Sequence, residues 1–252
     1  MLLSIIVIEY NSMAEIIFFA KQVKEKLNAI DYELIVSSNS CYKPSQQDAI
    51  REQYPEIRWQ FNPENGGFAY GMNHGIGVAK GEYILISNPD VILKKGIREA
   101  IAYLQSNPDV GIIGPCIRDE QGTVQDSFRK YVTMPVFIVR QMKRILQTEK
   151  PLEIDETSEP IEIDWVIGAS MLARRTVLEK VQGFDQHYFM YSEDIDLCTR
   201  IRHSGYKIVY LPKFEVEYKG TRSARRSWKY AKIFIKSHLY LWRKHGLLRE
   251  KK

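Results

Sequence analysis

At 252 residues, 44% hydrophobic and 27% charged, the chain has an ordinary globular make-up and the length for one large domain or one and a half. Its three cysteines, Cys41, Cys116 and Cys198, and its five histidines are scattered, which excludes a disulfide framework and a His-based zinc site and points to a reducing cytoplasm. The formal charge of +5 divides unevenly, because residues 219–252 hold 12 Lys or Arg against the single acid Glu250, giving +11 there and −6 on the rest.

The apolar start, Leu2–Ile8, lacks a basic leader and is too short for a signal peptide, and no stretch approaches a spanning helix. Leu3–Ile8, Leu34–Val36, Ile57–Phe61 and Tyr83–Ser87 read as strands, rich in β-branched and aromatic residues. Ala14–Leu27, Gln46–Tyr54 and Phe68–Ala79 read as the helices between them. That alternation predicts βαβ units, a mostly parallel sheet and an α/β fold. A helix at Gly96–Gln105 and a strand at Val110–Ile117 follow. Residues 118–162 are less regular, with an acidic, Pro-bounded loop at Glu149–Glu162. Strands at Ile163–Ile167 and Ser170–Ala173, a helix at Thr176–Val181 and a Gly183-Phe184-Asp185 turn come next. A helix at Glu193–Ser204 ends on Gly205, short strands follow at Lys207–Leu211 and Phe214–Glu217, and a helix spans Ala224–His245.

The chemistry-bearing residues gather where strands end. Neither G-x-G-x-x-G after the first strand nor a Walker A loop is present, which weighs against NAD-dependent and P-loop chemistry. The first strand ends in Glu9-Tyr10-Asn11-Ser12 and the second in Ser37-Ser38-Asn39-Ser40, suited to gripping a base and ribose or serving as plain turns. Asn65-Gly66-Gly67-Phe68 opens a helix with glycines that let backbone approach an anion, and Asn65 and Asn73 add polar contacts beyond simple capping. Asn88-Pro89-Asp90 closes a wholly apolar strand on a carboxylate able to hold Mg²⁺ or Mn²⁺. Glu193, Asp194 and Asp196 start a helix; they can complement its dipole, or Glu193 and Asp194 can face a cleft as catalytic acids.

Taken in order, these residues resemble the inverting glycosyltransferases of family 2, with the GT-A fold, in the bacterial rhamnosyltransferase-like branch. The resemblance is carried by Tyr10-Asn11, the run from Asn65 to Asn73, Asn88–Asp90, Trp165–Ser170, Gly183-Phe184-Asp185 and Glu193-Asp194-x-Asp196-Leu197, and spans about Leu3 to Ser223. It implies a GT-A domain over residues 1–223, with a nucleotide-sugar half at 1–117 and an acceptor and catalytic half at 118–223, followed by a basic helix at 224–252. It implies Asp194 as base and Glu193 as the group orienting the acceptor. Donor contacts are expected at Tyr10, Ser38, Asn39, Asn65, Gly67, Asn73, Asn88, Asp90 and Arg222. The acceptor is expected at Trp165 and Gly168, and Asp90 as ligand to Mg²⁺ or Mn²⁺.

Three positions depart from the family's pattern: Ser38 stands where an Asp is usual, Tyr218 where a His is common, and Glu9 where Thr or Asn is usual. The reaction so implied moves a sugar, with dTDP-rhamnose favoured by analogy, from a nucleotide-sugar donor to a glycan or polyprenyl-linked acceptor in surface polysaccharide synthesis. A non-catalytic sugar-nucleotide-binding partner is the alternative, motivated by Ser38 and Tyr218. A nucleotidyltransferase would need a basic glycine-rich loop after the first strand, which Glu9–Ala14 is not. The tail places Trp228, Ala231, Ile235, Leu239 and Trp242 on one helical stripe, fit to pack on the body or to lie on an anionic membrane. No nucleic-acid partner is expected. The chain is expected in the cytoplasm, peripheral on the inner face of the cell membrane.

Overall fold

Leu3–Glu9 (β1) is a continuous run of mostly β-branched residues buried along its length, the signature of a strand inside a parallel sheet. The computed structural model describes residues 2–125, 127–129, 135, 139, 159–218, 220 and 228–246. After β1 come Met13–Lys26 (α1), Tyr32–Ser38 (β2), Pro44–Gln53 (α2), Ile57–Phe61 (β3), Gly67–Val78 (α3) and Tyr83–Ser87 (β4). Val91–Lys95 (β5), Ile97–Ser106 (α4), Val110–Arg118 (β6), Phe128–Arg129 (β7), Ile161–Ile163 (β8), Trp165–Val166 (β9) and Ser170–Arg174 (β10) follow. Arg175–Lys180 (α5), Glu193–His203 (α6), Lys207–Tyr218 (β11) and Trp228–His245 (α7) complete the described elements.

The main sheet has the order β3-β2-β1-β4-β10-β6-β11-β5, with β8 paired to β11. β3, β2, β1 and β4 are mutually parallel, and β6 and β11 run the same way; β10, β5 and β8 run against them. Six of these nine strands therefore share one direction. Successive side chains alternate between the two faces. Ile5, Val7 and Leu85 join one core layer, while Ile6, Ile84 and Ile86 join the other.

The expected strands and helices of the first half appear within a residue or two of the sequence reading, but β5 was not anticipated. It starts right after the Asn-Pro-Asp turn and returns antiparallel to β11, a pairing made 120 or more positions away. The two short strands expected at Lys207–Leu211 and Phe214–Glu217 are one strand, β11, whose register on β6 shifts between Leu211 and Glu215. Pro212 lies in that interval, where its missing N–H breaks no regular ladder. The single strand expected at Ile163–Ile167 divides into β8 and β9, which pair with different partners.

Candidate active site at the carboxyl edge of the sheet

β1 and β2 end side by side, with Glu9 in register with Ser38. The Glu9 carboxylate is wholly buried and draws donors from three directions. Ser38 donates to Oε2 at 2.5 Å, Ser40 to Oε1 at 2.9 Å and the Ser12 backbone N–H to Oε1 at 3.0 Å. A buried acid is tolerable only when satisfied in this way. Ser38, expected on the donor, is itself fully buried with its hydroxyl committed to Glu9, so it lines no open surface. Asn39, also expected on the donor, is nearly buried: its amide donates to the Gly67 carbonyl and accepts from Asn62, tying β2 to α3. Tyr10, more than half exposed next to the left-handed Asn11, is the aromatic this edge presents outward.

The start of α3 is closed by the protein itself. Gly67 has φ +87, and a Cβ there would lie 2.0 Å from the Phe189 carbonyl oxygen. The Phe68 N–H donates to that same oxygen at 2.9 Å, and the Gly67 N–H to Asn65 Oδ1 at 3.1 Å. The glycine is thus required by chain approaching chain, and these N–H groups do not face an anion as expected. Asn73, also expected on the donor, is engaged with the chain itself. Its Oδ1 accepts the Phe184 N–H and its Nδ2 donates to the Phe184 carbonyl, both at 2.8 Å. Gly183, at φ +65, leaves the room this bracket needs. The motif from Asn65 to Asn73 therefore braces the segment leading to α6.

After β4, the Asn88 N–H donates to the Ala169 carbonyl and its side-chain amide to the Tyr218 hydroxyl at 3.2 Å. Burial, then the Asp90 charge, push the Tyr218 hydroxyl up to about 12, so it stays protonated. Asp90 is exposed at this edge. Partial desolvation, reinforced by Glu15, holds its carboxyl above the ordinary value. Among the described residues no group of three His, Cys, Asp or Glu could cage a metal ion. One exposed carboxylate fits a hard cation held mainly by phosphate and water, and does not fit an all-protein site. Arg222 lies outside the described residues.

At the start of α6, Asp194 is half-buried and held by two backbone N–H groups, from Gly168 to Oδ2 at 2.9 Å and from Ile195 to Oδ1 at 2.8 Å. Burial outweighs these bonds and raises its pKa. Glu193 is 7% exposed, and its Oε2 has no hydrogen-bond partner among the described residues. Burial, then the Asp194 charge, push it strongly up. Two adjacent carboxyls so perturbed cannot both ionise easily at neutral pH. Asp196 behaves differently. Burial alone would raise it, but His245, Arg200 and Lys244 outweigh that and hold it down. It is a structural acid.

Gly168, expected at the acceptor, donates its N–H to Asp194. Trp165 lies half-buried on β9, packed against Tyr188, Ile195 and Leu241. Ser192 is the N-cap residue by position, yet its hydroxyl makes no cap bond. Tyr191 and Ser192 are both left-handed, at φ 71 and 67. For non-glycine residues each such conformation costs on the order of 1 kcal/mol, so the surroundings hold this turn in place. Glu9 is noted in the sequence as a strand end and as a departure from the family's pattern, but its carboxylate is given no role there, although an acid ending an apolar strand is the same signal that marks Asp90. The sequence reading missed the inward face of α7, whose Lys244 reaches Asp185 at 2.6 Å and Asp196 at 2.7 Å. The expected stripe on this helix is not its buried face: Trp242 is buried, but Trp228, Ile235 and Leu239 are exposed. None of the helices among the described residues is long and apolar enough to cross a membrane.

Residues 2–236 match the family described as "Glycosyltransferase like family 2". The chain is 34% identical over 209 residues to the rhamnosyltransferase WbbL of Escherichia coli K12, covering 78% of this chain and 76% of that one. It is 31% identical over 213 residues to an N-acetylglucosaminyl-diphospho-decaprenol L-rhamnosyltransferase of Mycobacterium tuberculosis, covering 77% and 68%. Its fold resembles a mannosyltransferase from Pyrobaculum calidifontis solved with GDP-Man and Mn²⁺ (TM-score 0.63, 18% identity, 98% of this chain and 65% of that one). It also resembles GalNAc-T7 solved with UDP, GalNAc and Mn²⁺ (TM-score 0.63, 14% identity, 86% of this chain and 43% of that one). The brace around α6, the acids at the sheet's carboxyl edge and the match across nearly the whole length lead to one assignment: the chain belongs to glycosyltransferase family 2, an enzyme of the GT-A fold in its bacterial rhamnosyltransferase-like branch.

Proposed function

We propose that the protein transfers a sugar, with inversion, from a nucleoside-diphosphate donor to a hydroxyl of a lipid-linked glycan during surface polysaccharide synthesis. The observation that carries this reading is Asp194, a half-buried carboxylate of raised pKa, aimed by two backbone N–H groups beside the nearly buried Glu193. Asp194 takes the proton of the acceptor hydroxyl as its oxygen bonds to the anomeric carbon. The bond from that carbon to the diphosphate breaks, and its electron pair leaves with the diphosphate. Glu193 orients the acceptor. Asp90, with the donor's diphosphate, would hold Mg²⁺ or Mn²⁺; when bound, such a cation neutralises charge on the departing group. Tyr10 supports the nucleoside by stacking, and Asn88 acts by fixing Tyr218 beside Asp90.

The choice of rhamnose as sugar is supported by the names of both rhamnosyltransferase relatives, and a polyprenyl-diphosphate glycan as acceptor by the name of the mycobacterial one. An acceptor of that kind lives at a membrane, and α7 suits the same place. Its exposed face alternates Trp228, Ile235 and Leu239 with Lys232 and Lys236 at helical spacing, as in a helix lying on anionic lipid. A purely binding subunit would gain nothing from burying Glu193 against Asp194.

The test is nucleoside-diphosphate release from a panel of nucleotide sugars, dTDP-rhamnose among them, with and without a polyprenyl-diphosphate N-acetylglucosamine acceptor. Acceptor-dependent release is expected with one donor. Asp194→Asn should lower kcat by about 10²-fold or more while leaving donor KM unchanged, the usual worth of a general base. Normal turnover in that variant removes Asp194 from the reaction.

A further inference from the structure

The turn Phe189–Ser192, which aims Glu193 and Asp194, is held from two sides. On one side the Phe68 N–H of α3 binds the Phe189 carbonyl. On the other side stands α7, more than forty positions later in the chain. Ser237 Oγ donates to the Met190 carbonyl at 2.8 Å, and His238 Nδ1 lies 3.1 Å from Ser192 Oγ. The same Nδ1 lies 3.0 Å from the Phe234 carbonyl, which can only accept, so this nitrogen carries the hydrogen. Burial keeps the His238 ring neutral. The Phe234 ring meets Tyr191 edge-on at 5.5 Å. These contacts fall on Met190, Tyr191 and Ser192, and the last two are the left-handed residues.

The flanks of the turn are gripped as well. Tyr240 and Lys244 bind Asp185 before it, and Lys244 and His245 bind Asp196 after it. Leu241 fills the gap between Tyr188 and Ile195. A left-handed pair of non-glycine residues at a helix start persists only where its surroundings over-determine it.

We infer that the C-terminal helix is part of the catalytic apparatus, with Ser237 and His238 as positioning residues that set the turn carrying Glu193 and Asp194. The inference rests on the reading of Asp194 as base. It is independent of the membrane reading, because it uses the inward face of α7 alone. Displacement of a reacting group by about 1 Å can cost on the order of 10²-fold in rate, so small changes on α7 should be felt at the site.

Ser237→Ala, His238→Ala and the conservative His238→Asn, which keeps an amide N–H near the Nδ1 position, test this in the full-length protein. The two alanine variants should lower kcat by about tenfold or more, with donor KM within about twofold. They should also shift the midpoint of the kcat–pH profile, because the Glu193–Asp194 pair moves. His238→Asn should recover most of the kcat. Alanine variants that fold, by circular dichroism, and keep both the kcat and the midpoint overturn the inference, as does an Asn variant no better than Ala. If His238→Ala does not fold, Ser237→Ala decides alone, since it removes a single hydroxyl. Asp194→Asn is run alongside: retention of activity there removes the base assignment, whereas its loss with normal Ser237 and His238 variants removes only the positioning role.

Discussion

The Gly168 N–H points at the carboxylate of Asp194 from 26 positions away, meeting Oδ2 at 2.9 Å. The Ile195 N–H holds the other oxygen. Two backbone donors fix the plane of the carboxyl without neutralising it, and its pKa still ends above the ordinary value because burial dominates. An acid so placed is oriented and a weaker acid than a free aspartate.

That arrangement sets a pH dependence. Glu193 is raised from an ordinary 4.5 to about 8, and Asp194 is raised with it. Between those limits the folded state binds more protons than the unfolded chain, so stability falls as pH rises from about 4.5 to about 8. Glu193→Gln should therefore melt at or near the wild-type temperature at pH 4.5 and above it at pH 8. The gain at pH 8 should reach about 2 °C or more, the shift about 1 kcal/mol gives in a chain of this size. Turnover of the wild type should climb over the same interval as the pair loses its proton. Thermal melts across pH check the first statement, and an equal melting difference at both pH values would refute it.

Asn73 is a brace, and its removal should register as lost stability. Asn73→Ala breaks both bonds to the Phe184 backbone, which is itself nearly inaccessible. Leaving those groups unpaired should cost about 2–3 kcal/mol, or about 5–10 °C in melting temperature. Donor KM should stay within about twofold. A variant of normal stability with a much larger KM would return Asn73 to the donor.

Asp90 offers one carboxylate, so a cation there depends on the donor's phosphates for the rest of its shell. Excess chelator should abolish most activity, and Mg²⁺ or Mn²⁺ should restore it better than Zn²⁺. Asp90→Asn should raise the metal concentration for half-activity by about tenfold or more. Undiminished turnover in chelator would discard the metal.

The outer face of α7 makes a separate prediction. Each basic residue close to an anionic surface contributes about 1 kcal/mol within a Debye length. The protein should co-sediment with phosphatidylglycerol-containing vesicles at low salt, less at high salt, and little with neutral ones. Substituting Trp228, Ile235 and Leu239 together by Ser should abolish that binding and leave the melting temperature nearly unchanged, because all three are exposed. Equal binding to neutral and anionic vesicles would exclude an electrostatic dock.

Local patterns in the sequence determined the parallel half of the sheet, its helices and the acids that end its strands. Burial of a β-branched run and the period of a helix are short-range properties, readable within a dozen residues. The pair Glu193-Asp194 was legible for the same reason, as charges that an amphipathic helix start does not need. What each polar residue touches was decided by tertiary structure alone. Ser38 reads as a missing acid until β1 and β2 are set in register, when Glu9 proves to supply a carboxylate one strand over. Gly67 and Asn73 read as ligand contacts, but chain from more than a hundred positions later fills the space they face. The stripe on α7 predicted an apolar face, and the folded protein buries a different one. Ser237, His238 and His245 find partners on the Phe189–Ser192 turn and on α6 that no helical period reveals. Buried polar groups are satisfied by whatever the fold brings near, and a one-dimensional pattern carries no record of that.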